Sequence, residues 1–296
     1  DVQPILDRHC VRCHNHDRGD GEINLSGDRT PYYSTAYWTM FSKSLVVDGR
    51  NGPGNRPPRA IGSSASRLLT CLASEHYGVQ VSARERATVR TWIDSGATYS
   101  GTYACLGSGM FPVDFPDEIV IARCAGCHKA TKPSYRNVKQ DAFYFQFGRQ
   151  EPPQPLLERI DDIILIRHLA YFQLGEAPLY QALCNLDRPA QSLFLRAPLA
   201  KSAGGLQRCG QAIFPDTADQ DYQAILARIE DAARRLGEQK RFDMPGFRPN
   251  RYSLREMQLF GILPADLPAD APIDPYATDQ AYWRTFQFTA ASPARD

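Results

Sequence analysis

Two short runs of this chain share one spacing of reactive side chains. Cys10-Val11-Arg12-Cys13-His14 and Cys124-Ala125-Gly126-Cys127-His128 both read C-x-x-C-H, the attachment signature of c-type haem. Two thiols three residues apart can add across the two vinyl groups of one haem. The adjacent imidazole then lies under the ring as an axial iron ligand. With 8 Cys and 6 His in 296 residues, chance recurrence of the motif is negligible. Half of a zinc site would need a second Cys or His pair close by, and a dithiol redox motif would need a βαβ setting. The sequence offers neither. The reading is two covalent haem c groups, held by Cys10 and Cys13 with His14, and by Cys124 and Cys127 with His128.

Each iron then has a sixth position to fill. In the first half the spare donors are His9, His16 and His76, with Met40 and Met110 as thioether alternatives. His9 abuts Cys10, and His16 sits two residues from His14, so neither reaches the opposite face easily. His76 follows a helical stretch at long sequence distance and is the expected distal ligand. The bland alternative is a surface histidine at a helix end. In the second half His168 has no histidine rival, only Met244 and Met257, and is expected to be the distal ligand of the second haem. Its alternative is a hydrogen-bonded core histidine.

Net charge is +1, from 34 Lys and Arg against 33 Asp and Glu. That argues against a polyanion partner such as nucleic acid. Hydrophobic residues make up 43% of the chain and mean hydropathy is −0.42, with no run long enough for a transmembrane segment. Haem c is attached outside the cytoplasm, so the expected location is periplasmic or extracellular, with a leader removed or more chain preceding Asp1. Cys71, Cys105, Cys184 and Cys209 remain. In an oxidising compartment they suggest disulfides, with Cys71–Cys105 and Cys184–Cys209 favoured because each pair stays within one haem unit. Buried free thiols are the alternative.

The elements that position these groups read as mainly α, in two cytochrome-c-like haem domains over residues 1–112 and 113–296, with long irregular loops and few short strands. Residues 2–14 are expected to be helical up to the first motif. A helix follows Thr30-Pro31, carrying Tyr33, Tyr37, Trp38 and Phe41, either as a haem wall or as ordinary core. Helical patterns follow over 64–74 and after the capping box Ser82-Ala83-Arg84-Glu85. In the second unit Asp114 and Pro116 open a helix leading into Cys124. Residues 160–169 fit a strand or a buried helix. The clearest amphipathic helix covers 219–236, a short helix covers 252–260, and the Pro-rich tail from Pro264 is expected to be extended.

Several of these runs carry a resemblance. Residues 2–10, Thr91-Trp92-Ile93-Asp94, Ala197-Pro198-Leu199-Ala200-Lys201 and Asp243-Met244-Pro245-Gly246 together resemble the haem-bearing middle and C-terminal domains of the hydrazine synthase alpha subunit, and related secreted di-haem proteins. The resemblance covers most of residues 1–263. It implies a mostly helical di-haem module and places His14 and His128 as the motif histidines. His168 suits the distal position of the family's second, bis-histidine haem. In the family a tyrosine shortly after the first motif binds iron; here residues 15–19 are Asn, His, Asp, Arg and Gly, and the next tyrosine is Tyr32. The family's β-propeller is also absent from these residues.

Two functions follow from the site residues. One is single-electron transfer through two bis-histidine haems, to redox protein partners or to copies of the same chain, with a homo-oligomer or filament as a possible assembly. The other is an enzyme with an open iron at the first haem. It would act on a small nitrogen or oxygen species, with His16, Asp17, Arg18 and Tyr77 as the polar groups nearby.

Overall fold

The structure is a computed structural model that describes residues 2–47, 56–73, 75–105, 111–124 and 179–287. Its described residues are mainly helical, and the only β pairing among them is two isolated bridges, Arg29 with Ser34 and Leu199 with Phe214. The few short strands expected are therefore not found among these residues. The segment 160–169 lies outside them.

Helix α1, Gln3–His9, starts with Pro4 in its first turn, where a missing N–H costs nothing, and buries Ile5 and Leu6. Helix α2, Thr35–Ser42, is capped by the Ser34 hydroxyl, which accepts from the Tyr37 amide. Helices α3, Arg67–Cys71, and α4, Ala83–Asp94, complete the first core. The capping box forms in full: Ser82 Oγ accepts from the Glu85 amide at 3.2 Å, and the Glu85 carboxylate accepts from the Ser82 amide at 2.8 Å. Val89 and Ile93 of α4 pack on Leu6, Leu68 and Leu72. The aromatic run of α2 belongs to the same core. Tyr37 meets Phe41, Tyr99 and Trp92 at ring separations of 4.9, 4.8 and 6.2 Å, and its hydroxyl donates to the Ala97 carbonyl. Of the two readings offered by its sequence, core is the one realised.

The second core gathers around α8, Gln220–Gln239, whose Tyr222, Ile225, Ile229, Ala232 and Leu236 are buried at helical spacing. Asp219 caps it by accepting from the amides of Asp221 and Tyr222. Packed around it are α5, Asp117–Cys124, and α7, Leu193–Arg196; α6, Leu179–Ala182, contributes Ala182 to the first core instead. Gly205 lets the chain pass over this region: a Cβ there would lie 2.1 Å from the Leu199 carbonyl oxygen.

An ionic cluster joins the cores. Arg241, fully buried, donates to the Asp243 carboxylate at 3.0 and 3.1 Å and to the Thr30 carbonyl at 2.9 Å. Arg29 donates to the same carboxylate at 3.2 Å and to Asp187 at 2.7 Å. Nearby, Asp28 accepts from Arg188 and from Asn185. Helix α9, Arg251–Leu259, and helix α10, Pro275–Arg284, close the described chain. The tail is thus not extended throughout. Asp274 accepts from the amides of Tyr276 and Ala277, Pro275 fills the first helical position, and Tyr282 packs edge-on against Phe260 at 4.9 Å. A cap and an aromatic partner outweigh the prolines that read as extended. No helix among the described residues is long and apolar enough to cross a membrane.

Candidate haem site

The first motif is built on the end of α1. The Cys10 amide donates to the Leu6 carbonyl at 2.8 Å, and the amides of Cys13 and His14 donate to the Cys10 carbonyl at 3.1 and 2.9 Å. Buried Ile5 and Leu6 anchor the turn from below. The chain then folds back over residues 15–20. The Asn15 side chain accepts from the amides of Asp17 and Arg18 and donates to the Val11 carbonyl, and the Asp20 amide donates to the Cys13 carbonyl. This return brings the Asp20 carbonyl within 3.0 Å of His14 Nδ1. A carbonyl can only accept, so Nδ1 is the donor in this bond, and in a neutral ring the lone pair is then on Nε2. Metal-ligating histidines are oriented in this way.

His76 comes from the other wall. Its amide donates to the Ala73 carbonyl, and its own carbonyl accepts from Val79. Between them Tyr77 and Gly78 take left-handed conformations, φ 51° and 74°. For tyrosine that conformation costs on the order of 1 kcal/mol. The tight turn delivers the imidazole toward His14. The two rings lie 6.0 Å apart, centre to centre, with 15° between their planes. Two imidazoles bound on opposite sides of one metal, with metal–nitrogen bonds of about 2 Å and about 1 Å more to each ring centre, would be separated by about 6 Å. The separation and the near-parallel planes are compatible both with two stacked rings and with a shared axial pair.

Of the other described histidines of this half, His9 and His16 each engage one ring nitrogen, and His16 Nδ1 is buried with no hydrogen-bond partner. His9 Nε2 meets the Glu85 carboxylate at 3.2 Å, beside Arg8 at 2.7 Å. The amide and hydroxyl of Ser82, with His9 and Arg8, hold the Glu85 carboxyl down at about 2. His16 Nε2 lies 2.9 Å from the Arg188 guanidinium and 3.1 Å from Asp17. Met40 is buried in the first core and Met244 packs on the second. Arg18 pairs with Asp20, while Tyr77 is 96% exposed and turns its ring edge-to-face with His76 at 5.1 Å. Of the four polar residues of the open-site reading, His16 and Asp17 meet each other at 3.1 Å, Arg18 pairs with Asp20, and Tyr77 lies against His76. No group of three or more His, Cys, Asp or Glu side chains gathers for a metal ion among the described residues, so a zinc site has no support there.

The cysteines depart from expectation. Neither Cys71–Cys105 nor Cys184–Cys209 is joined. Cys71, at the end of α3, stands close to the motif thiols. Burial, with Cys71 and Cys13 adding to it, pushes the Cys10 thiol up to about 11. Cys105 is elsewhere, where burial and the charges of Asp279, Asp243 and Asp274 push it up to about 12. Burial also raises Cys184.

At the second motif, α5 presents Cys124 at its last residue; Cys127, His128 and His168 lie outside the described residues, as does Met110. Arg123 fixes this helix end by donating to Asp221 at 2.6 Å and Asp219 at 3.3 Å, its guanidinium over the Phe214 ring. Sequence reading missed three parts of the site: the Asp20 carbonyl, Cys71, and the Arg123 tie. The carbonyl has no side-chain signature. Arg123 had a faint one, as a cation in the last turn before a motif. The chain matches no protein-family model, no curated protein and no solved structure.

Proposed function

We propose that this chain is a secreted di-haem c-type cytochrome, periplasmic or extracellular, that transfers single electrons. The observation that carries the proposal is the pairing of His14 and His76, near-parallel at 6.0 Å, with His14 Nδ1 bonded to the Asp20 carbonyl. Cys10 and Cys13 would hold the first haem covalently, and His14 and His76 would be its axial ligands. Cys124, Cys127 and His128, with His168 as the distal donor, would hold the second. When bound, such a group supplies a one-electron iron couple, held at lower potential by two nitrogen ligands than by a histidine–methionine pair.

The protein's own residues do the rest. The bond from His14 to Asp20 fixes ring orientation and raises ligand basicity. The short turn at Tyr77-Gly78 limits how far His76 can move. With His14 and His76 both holding the group, small ligands would find no open site on it, which favours electron relay over substrate chemistry. The partners would be redox proteins or further copies of this chain, and the balanced net charge gives no preference for a polyanion. The resemblance to the hydrazine synthase alpha subunit supports the helical di-haem organisation and the haem count.

The test is intact mass and visible spectroscopy of protein secreted from a host that matures cytochromes c. Two covalent haems per chain, lost one at a time in Cys10→Ala/Cys13→Ala and Cys124→Ala/Cys127→Ala variants, are expected. A chain that leaves the host with no added mass overturns the proposal.

A further inference from the structure

Helices α9 and α10 flank an open groove of about 310 Å³ far along the chain from both motifs. Its walls include Leu254, Met257 and Ile273. Tyr282 and Trp283 line one side, in edge-to-face contact at 5.6 Å, with Trp283 52% exposed. Glu256 and Asp279 also line it, and no lysine or arginine does so among the described residues. Neither carboxylate forms an ion pair among those residues. The volume is that of a small-molecule site, and such sites combine apolar walls with a few fixed polar groups.

We propose that this groove binds a small organic cation, an ammonium group bearing apolar substituents, between the Tyr282 and Trp283 rings and the Asp279 and Glu256 carboxylates. Each wall selects for part of that ligand. Aromatic faces attract a diffuse cation. The exposed Glu256 and half-buried Asp279 carboxylates supply countercharge at the groove, which a neutral apolar ligand would not use. An anion would be repelled. A bare divalent cation would want six or more oxygens, and no such cluster forms among the described residues. The inference is independent of the haem reading.

The experiment is calorimetric titration of the full-length protein, as isolated, with choline and with its neutral isostere 3,3-dimethylbutan-1-ol. Choline is expected to bind saturably at one site, with the alcohol about tenfold weaker or more, because the two differ in charge and hardly in shape. Trp283→Leu keeps apolar area but removes the ring face, and Asp279→Asn keeps shape but removes charge. Each is expected to weaken choline about fivefold or more. Circular dichroism checks their folding, and Glu256→Gln supplies the same charge readout should Asp279→Asn unfold. No saturable choline binding, equal binding of the alcohol, or unchanged affinity in the folded variants would overturn the proposal.

Discussion

The His14 and His76 rings lie 6.0 Å apart, centre to centre, with 15° between their planes, although 61 residues separate them in the chain. His14 arrives on the turn that ends α1, and His76 on a turn strained at Tyr77. Replacing His76 with alanine would remove one of the two proposed ligands and leave the first core in place, since His76 belongs to neither buried cluster. His76→Ala is expected to make the first haem high-spin and able to bind carbon monoxide, read from the reduced spectrum. His76→Met is expected to keep it low-spin and to raise its potential, read by potentiometric titration.

Asp243 answers two arginines, one of them fully buried. Removing it strands the Arg241 charge, a loss of about 3–5 kcal/mol for a broken buried pair. Asp243→Ala is expected to show this in urea unfolding of the haem-loaded protein.

The same carboxylate sets an acid limit. Burial would raise its pKa, but Arg241 and Arg29 hold it below the ordinary value. A group depressed in the folded state stabilises fully above its unfolded pKa, and that contribution is lost as pH falls through the folded one. Stability of the wild type is therefore expected to fall below about pH 4. Asp243→Asn is expected to be less stable at neutral pH and to show a shallower loss on acidification, measured by thermal melts from neutral to acid pH.

Gly205 tests the packing of the second core. A methyl group there would overlap the Leu199 carbonyl, which is backbone and cannot swing aside. Gly205→Ala is expected to cost about 1–3 kcal/mol or more, as overpacking does, whereas Gly210→Ala meets no neighbouring atom and carries only the penalty of its positive φ. Comparing the two melting temperatures separates the steric effect from the backbone one.

The thiols give a chemical check. Cys71 lies near Cys10 and not in the surroundings of Cys105. Peptide mapping of the haem-loaded protein without reductant is expected to recover no Cys71–Cys105 link, and Cys71→Ser is expected to keep full haem content. Recovery of that link would contradict the placement of α3.

Much of the organisation was legible in the residues. The capping box at Ser82 and Glu85, the stripe of α8 and Pro4 opening α1 are local signals, and local hydrogen bonds and burial obey them. His76 could be singled out because few spare donors exist in its half. What escaped notice was non-local. The Asp20 carbonyl carries no side-chain signature, the Arg241–Asp243 pair had no signal of its own in the sequence, and Cys71 was assigned to Cys105 because both fall in one haem unit, although the fold places Cys71 near Cys10. Helix α10 was hidden by the prolines around it, although Asp274-Pro275 is a start signal in its own right.

The most direct measurement is low-temperature electron paramagnetic resonance of the oxidised Cys124→Ala/Cys127→Ala variant, which isolates the first haem, followed by reduction under carbon monoxide. A low-spin rhombic signal, as near-parallel imidazole planes give, with no carbon monoxide adduct is the predicted result. A high-spin signal, or a carbon monoxide adduct in the variant that retains His76, would contradict His14 and His76 as its axial pair.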